Sequence, residues 1–127
     1  MTPPAPHSQT SEKAIEHYFC AQMRLLGLPC IKQFNPYEAG WPDRLVVLPN
    51  RIVIWVEFKS KGKKPTALQQ HRHKALAQLS QAVFVISTRE EAEALVERIR
   101  TTYLPLQPSA PITVPAVSPA GPLKPQR

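Results

Sequence analysis

The segment Trp55-Val56-Glu57-Phe58-Lys59 ends the most apolar run of the chain with a carboxylate and an ammonium two residues apart. In an extended strand such residues share a face, so Trp55, Glu57 and Lys59 point one way and Val56 and Phe58 the other. A charged pair on the wet side of an antiparallel sheet is ordinary, since charges guard edges against mispairing. The other reading is catalytic. A second acid, Asp43, opens the preceding apolar run "DRLVVL", and a Pro49-Asn50 turn joins the two runs. Antiparallel pairing about that turn sets Asp43 near Glu57. Two carboxylates about 4 Å apart repel by roughly 4 kcal/mol at an effective dielectric of about 20, a large fraction of a small domain's stability. Lys59 offsets part of this repulsion. A divalent cation offsets more, and Mg²⁺ is commonly held by one or two carboxylates with water and phosphate oxygens completing its shell. Phosphodiester hydrolysis needs these parts: a metal that acidifies water and neutralises phosphoryl oxygens, and a lysine that orients the water and stabilises developing negative charge. An E-x-K pair alone is a weak signal. The facing acid and the lysines that follow strengthen it.

Several elements must position these residues. Ser11 or Thr10 caps a helix over Glu12–Leu26, where Ile15, Phe19, Met23 and Leu26 recur at helical spacing and Gly27 supplies the stop. "CIKQF" reads as a short strand and "NPYEAGWP" as turn material, in which Gly40 and Pro42 shape the approach to Asp43. "DRLVVL" and "RIVIWVEFK" form a hairpin across "PN". Thr66 caps a helix to about Leu79 with Leu68, Leu76 and Leu79 supplying much of an apolar face. "AVFVIS" is a fourth strand, and "TREEAEALVERIR" a final helix with acids in its first turns, as the helix dipole prefers. The order is α-β-β-β-α-β-α.

The 127 residues suit one domain, placed over 11–100 where prolines are sparse. Residues 1–10 read as a flexible Pro-rich arm and 101–127 as a disordered, partly polyproline-like tail whose P-x-x-P spacings, such as Pro105 to Pro108, read as passive. No apolar stretch approaches the ~18 residues that span a bilayer, and no basic start with an apolar run marks a signal peptide. Cys20 and Cys30 read as buried free thiols of a reducing cytoplasm. The net charge of +7 suits a polyanionic partner such as nucleic acid. Its placement is more telling: Lys59, Lys61, Lys63 and Lys64 follow the third strand, whereas Glu90, Glu91, Glu93 and Glu97 gather on the last helix. His71 and His73 lie two apart on a helix, point apart, and read as surface or DNA-facing residues rather than metal ligands; His17 has the same bland reading. There is no G-x-x-x-x-G-K-[ST] loop for ATP chemistry.

"SEKAIEHYF", "GWPDRLVVLPNRIVIWVEFKSKGKKPTALQQHRHKAL" and "AVFVIS" with its helix resemble a stand-alone VRR-NUC domain, a branch of the PD-(D/E)XK nuclease superfamily. The resemblance spans residues 11–100. It implies a restriction-endonuclease-like α/β core, a mixed sheet flanked by helices. By it Asp43 is the "PD" acid, Glu57 and Lys59 the E-x-K pair, Glu12 the acid of the first helix and Gln69 the glutamine of the helix after the hairpin. Glu16, one turn on from Glu12, remains an alternative for the helix acid, and Gln69 lies near a helix start where amides favour a phosphate. Trp41 departs from the smaller aliphatic residue usual there. The resemblance further implies a Mg²⁺- or Mn²⁺-dependent DNA endonuclease, with Glu12, Asp43, Glu57 and the Phe58 carbonyl as metal ligands, Lys59 serving the attacking water, and Lys61, Lys63 and Lys64 on the phosphate backbone. It also implies a homodimer acting on branched or flapped DNA, Holliday junctions included, in a phage or bacterial cytoplasm. Two other readings stay open at this point: a non-catalytic DNA-binding module, and an interaction protein working through its Pro-rich tail.

Overall fold

The computed structural model describes residues 11–105; the arm expected over 1–10 and the tail beyond 105 lie outside the described residues. The elements run α1 (Glu12–Leu25), β1 (Cys30–Lys32), β2 (Arg44–Leu48), β3 (Ile52–Phe58), α2 (Ala67–Gln78), β4 (Ala82–Ile86) and α3 (Arg89–Arg98), followed by a π-helical turn over Ile99–Tyr103. Each α-helix begins on a hydroxyl that accepts a backbone N–H two or three positions in: Ser11 from Ala14, Thr66 from Gln69 and Thr88 from Glu91. Such caps satisfy donors that a helix start leaves open.

The hairpin fixes the register on which the site depends. Asn50 and Arg51 both take left-handed backbone, with φ of 65° and 63°, and reverse the chain. Leu48 then faces Ile52 and Arg44 faces Val56. One more step of the same register sets Asp43 opposite Glu57. β1 adds to β2 antiparallel, and β4 adds to β3 parallel, with Glu57 beside Val85 and Phe58 beside Ile86. The sheet order is β1-β2-β3-β4, and the parallel β3–β4 pair is joined through α2, the long crossover that parallel strands require.

β3 lies inside the sheet and alternates between two covered faces. Ile54, Val56 and Phe58 are fully buried with Ile15, Phe19 and Met23 of α1 and Ala92, Leu95 and Val96 of α3. Phe19 and Phe58 meet at a ring-centroid distance of 5.7 Å. Burying each of these larger side chains is worth about 2 kcal/mol, so this layer holds the fold together. Trp55 and Glu57 face the other way, toward α2, where Trp55 Nε1 donates to Gln81 Oε1.

Three expectations change, and one departure finds its packing. β1 stops at Lys32, and Phe34 is 84% exposed in the loop beyond it. The expected apolar face of α2 is mostly outside: Leu68 and Leu79 are exposed and only Leu76 is buried. The inward face is instead Gln69, His73 and Leu76, at i, i+4 and i+7, because β3 presents a carboxylate there. The chain also stays packed past residue 100, since Tyr103 and Leu104 lie against the core and Leu104 N–H donates to Ile99. Finally, Trp41 packs on Trp55 at a centroid distance of 6.3 Å and lies under the Arg72 guanidinium at 4.8 Å. That stack gives the large aromatic its packing partners.

Candidate active site

The acid pair sits where two strands of the hairpin end together. Asp43, one residue before β2, accepts the Phe58 N–H on Oδ2 at 2.8 Å, so its carboxylate is tied to the backbone beside Glu57. The Glu57 side chain is 1% exposed. Its Oε2 accepts from Gln69 Nε2 at 3.2 Å. The amide of Gln69 is oriented from its other end, where Oε1 accepts the Thr66 N–H at 2.9 Å in a capping box. One helix start thus aims one side chain. Oε1 of Glu57 has no hydrogen-bond partner among the described residues, and neither has Nε2 of His73, which stands 3.6 Å away. That separation is too long for a hydrogen bond.

Burial and the neighbouring Asp43 carboxylate push the Glu57 pKa up to about 8, against the opposing pull of Lys59. His73 is moved the other way, held below the usual histidine range by burial and by the Lys59 charge. In the absence of a cation, then, the centre favours a proton on Glu57 and a neutral imidazole. The oxygen donors are hard, crowded and short of positive charge, which fits Mg²⁺ or Mn²⁺. Among the described residues no group of three or more His, Cys, Asp or Glu side chains is placed to hold a metal ion. A two-carboxylate site completed by water and phosphate does not need one.

The remaining sequence candidates fall into distinct places. Glu12 lies at the rim, its Oε2 accepting from Ser60 Oγ at 3.3 Å, and its charge still reaches Glu57. Glu16 is engaged elsewhere: its Oε2 accepts from Arg44 Nε at 2.7 Å and from Lys32 Nζ at 3.0 Å. Burial alone would raise the Glu16 pKa, but Arg44 and Lys32 outweigh it and hold the carboxyl below its ordinary range. Of the two helix-1 acids, Glu12 is therefore the one that faces the pair. Gln69 meets Glu57 rather than standing free at a helix start to meet a phosphate. Lys61, Lys63 and Lys64 are exposed after β3 with no ion pair among the described residues. His73 is not the surface residue expected: its side chain is 15% exposed and directed at Glu57, whereas His71 is exposed. The useful spacing was Gln69 to His73, four apart on one helix face, rather than His71 to His73.

The approach to Asp43 is built by the β1–β2 loop. Asn35 Oδ1 accepts the N–H groups of Tyr37 and Glu38, and Arg72 of α2 donates from Nε to the Ala39 carbonyl. Gly40 has φ 93°, and a Cβ there would lie 2.7 Å from Leu68 Cγ. A side chain at this position would have to displace Leu68, one residue from the Gln69 that meets Glu57, at a φ that favours glycine. Pro42 is buried before Asp43.

An acid pair and a lysine ending the central hairpin of a mixed α/β sheet are the parts that a phosphodiester-cleaving nuclease would need. Similarity to known proteins agrees with this. The chain is 37% identical over 84 residues to "Putative nuclease p44" of Acyrthosiphon pisum secondary endosymbiont phage 1, a match covering 66% of this chain and 90% of that protein. A solved structure described as a VRR_NUC domain superposes with a TM-score of 0.63 at 28% identity, covering 68% of this chain and 94% of that one. No family model matches the chain. On these likenesses the chain belongs to the VRR-NUC nuclease family.

Proposed function

We propose that the protein is a divalent-metal-dependent DNA endonuclease whose centre is the Asp43–Glu57 pair. The observation that carries this is the unpartnered, buried Oε1 of Glu57 beside a second carboxylate. Asp43, Glu57 and the Phe58 carbonyl would hold Mg²⁺ or Mn²⁺, with Glu12 reached from the rim. A bound cation supplies charge neutralisation at the scissile phosphate and acidifies water. The chain's own residues do the rest. Gln69 and the Phe58 N–H fix the rotamers of Glu57 and Asp43, so both carboxylates are set before substrate arrives. Lys59, on the same face as Glu57, orients the attacking water and stabilises negative charge as it develops on the phosphate. His73, kept neutral, shields Glu57 without competing for its charge. Lys61, Lys63 and Lys64 contact the backbone of the substrate, which positions DNA without reading its sequence.

The finer reading is a homodimer that cuts branched DNA, four-way junctions included. It rests on the family resemblance and on the exposed lysine cluster, which favours shape over sequence recognition. The test is cleavage of labelled four-way junction, flap, linear duplex and single-stranded DNA, with an RNA duplex alongside, in Mg²⁺, Mn²⁺ and chelator. Metal-dependent cutting that Lys59→Ala removes is expected, with symmetric nicks in the junction. Binding without cutting in either metal would leave a DNA-binding module instead.

A further inference from the structure

Away from the acid pair, the two cysteines face each other. Cys20 of α1 and Cys30 at the start of β1 are both free and half-buried rather than sealed in the core, with their Sγ atoms 3.4 Å apart. They lie in a half-open groove of about 640 Å³ whose walls include His17, Arg24, Leu28 and Arg44. The thiols are therefore reachable from solvent, under cationic side chains that favour a thiolate. The two are also unequal. The hydrogen bond shared with Cys30 brings the Cys20 pKa down to about 7, with Arg44 helping, while the same bond and burial push Cys30 up. Such a pair combines a nucleophile with a protonated partner at contact distance.

We propose that Cys20 and Cys30 form an oxidisable dithiol that reacts with hydroperoxides and closes as an intrachain disulfide between α1 and β1. The Cys20 sulfur attacks one peroxide oxygen; the O–O bond breaks, Cys20 becomes a sulfenic acid, and the other oxygen leaves as water or alcohol after taking up a proton. The Cys30 sulfur then attacks the Cys20 sulfur. The S–O bond breaks, the hydroxyl leaves as water with the Cys30 proton, and the S–S bond forms. Two thiols are oxidised and one peroxide is reduced. Closing the 3.4 Å gap to bonding distance takes a sulfur movement of about 1.4 Å, within reach of side-chain rotation. The cross-link would tie together the junction that Glu16, Arg44 and Lys32 already hold, where Arg44 also donates to the Cys30 carbonyl.

The full chain, fully reduced and freed of reductant, is treated with stoichiometric hydrogen peroxide and then with maleimide. Label per chain is expected to fall from two to none, with intact mass lower by two hydrogens, label restored by dithiothreitol and melting raised by about 5–10 °C. Cys30→Ser is expected to stop at a sulfenic acid on Cys20 that dimedone captures, an adduct absent from the wild type. Retention of both labels, over-oxidation of the wild type to sulfinic acid, or cross-links only between chains would overturn the proposal. The wild-type readouts need no variant, so they stand whether or not the serine form folds.

Discussion

Two buried acids, Glu16 and Glu57, lie within one small domain and are treated in opposite ways. Glu16 meets an arginine and a lysine, and its pKa falls. Glu57 is sealed from water beside another carboxylate, and burial and that neighbour raise its pKa to about 8. The first cluster is electrostatically complete and joins α1 to β1 and β2. The second has only the pull of Lys59 against its carboxylates, and no ion pair to a lysine or arginine among the described residues. Burying like charges costs stability that a fold keeps only where something else uses the site. The contrast marks Glu16 as an acid that the fold has neutralised and Glu57 as one that it has not.

The largest effects should come from swapping the chemistry at the two clusters. Asp43→Asn or Lys59→Ala is expected to lower metal-dependent cleavage by at least about 10³-fold while the fold survives, whereas Glu16→Gln should leave the single-turnover rate within about threefold. Equal losses at both clusters would erase the distinction. Glu16→Gln should instead cost about 2 kcal/mol in urea unfolding, because Arg44 is then left without a charged partner.

The clusters should also respond oppositely to pH, measured as melting temperature in chelator. Glu57 is raised from 4.5 to about 8, so the folded chain holds that proton more tightly than the unfolded one. Its contribution is full below pH 4.5 and is lost as the pH climbs toward about 8. Glu16 is lowered from 4.5, so its contribution is present above that value and lost as the pH falls below it. Asp43→Asn should shrink the first limb, leaving the part due to the burial of Glu57, and Glu16→Gln should flatten the second. A wild-type curve flat between those limits would contradict the Glu57 assignment.

Smaller effects sharpen how the acid pair is held. Gly40→Ala combines a positive φ with a Cβ 2.7 Å from Leu68 Cγ, and is expected to cost about 1–3 kcal/mol of unfolding free energy. Replacing Lys61, Lys63 and Lys64 by alanine should leave the rate at saturating DNA nearly unchanged. It should weaken binding and make the slope of log affinity against log salt shallower by about 0.9 for each phosphate no longer neutralised.

Much of the frame was legible because it rests on local rules. A hydroxyl cap marked the start of the second helix at Thr66 and narrowed the first to Ser11 or Thr10, and a hairpin across Pro49-Asn50 brought Asp43 near Glu57; the directly opposed register follows from Arg51 joining the turn instead of opening the strand. What sequence could not supply was the rotation of α2 over the sheet. Leu68 and Leu79 suggested an apolar inner face, but a buried carboxylate on β3 selects Gln69 and His73 instead. His73 was missed for that reason. That Glu16 is taken up by Arg44, 28 residues away along the chain, was equally closed to sequence.

Whether the Asp43–Glu57 pair is a cation site is tested most directly by calorimetric titration of Mn²⁺ into the wild type, Asp43→Asn and Glu16→Gln near pH 7. The wild type and Glu16→Gln are expected to bind the ion and release a proton, seen as an enthalpy that depends on the buffer, while Asp43→Asn no longer binds. Equal Mn²⁺ binding by all three, or binding abolished only in Glu16→Gln, would contradict that assignment.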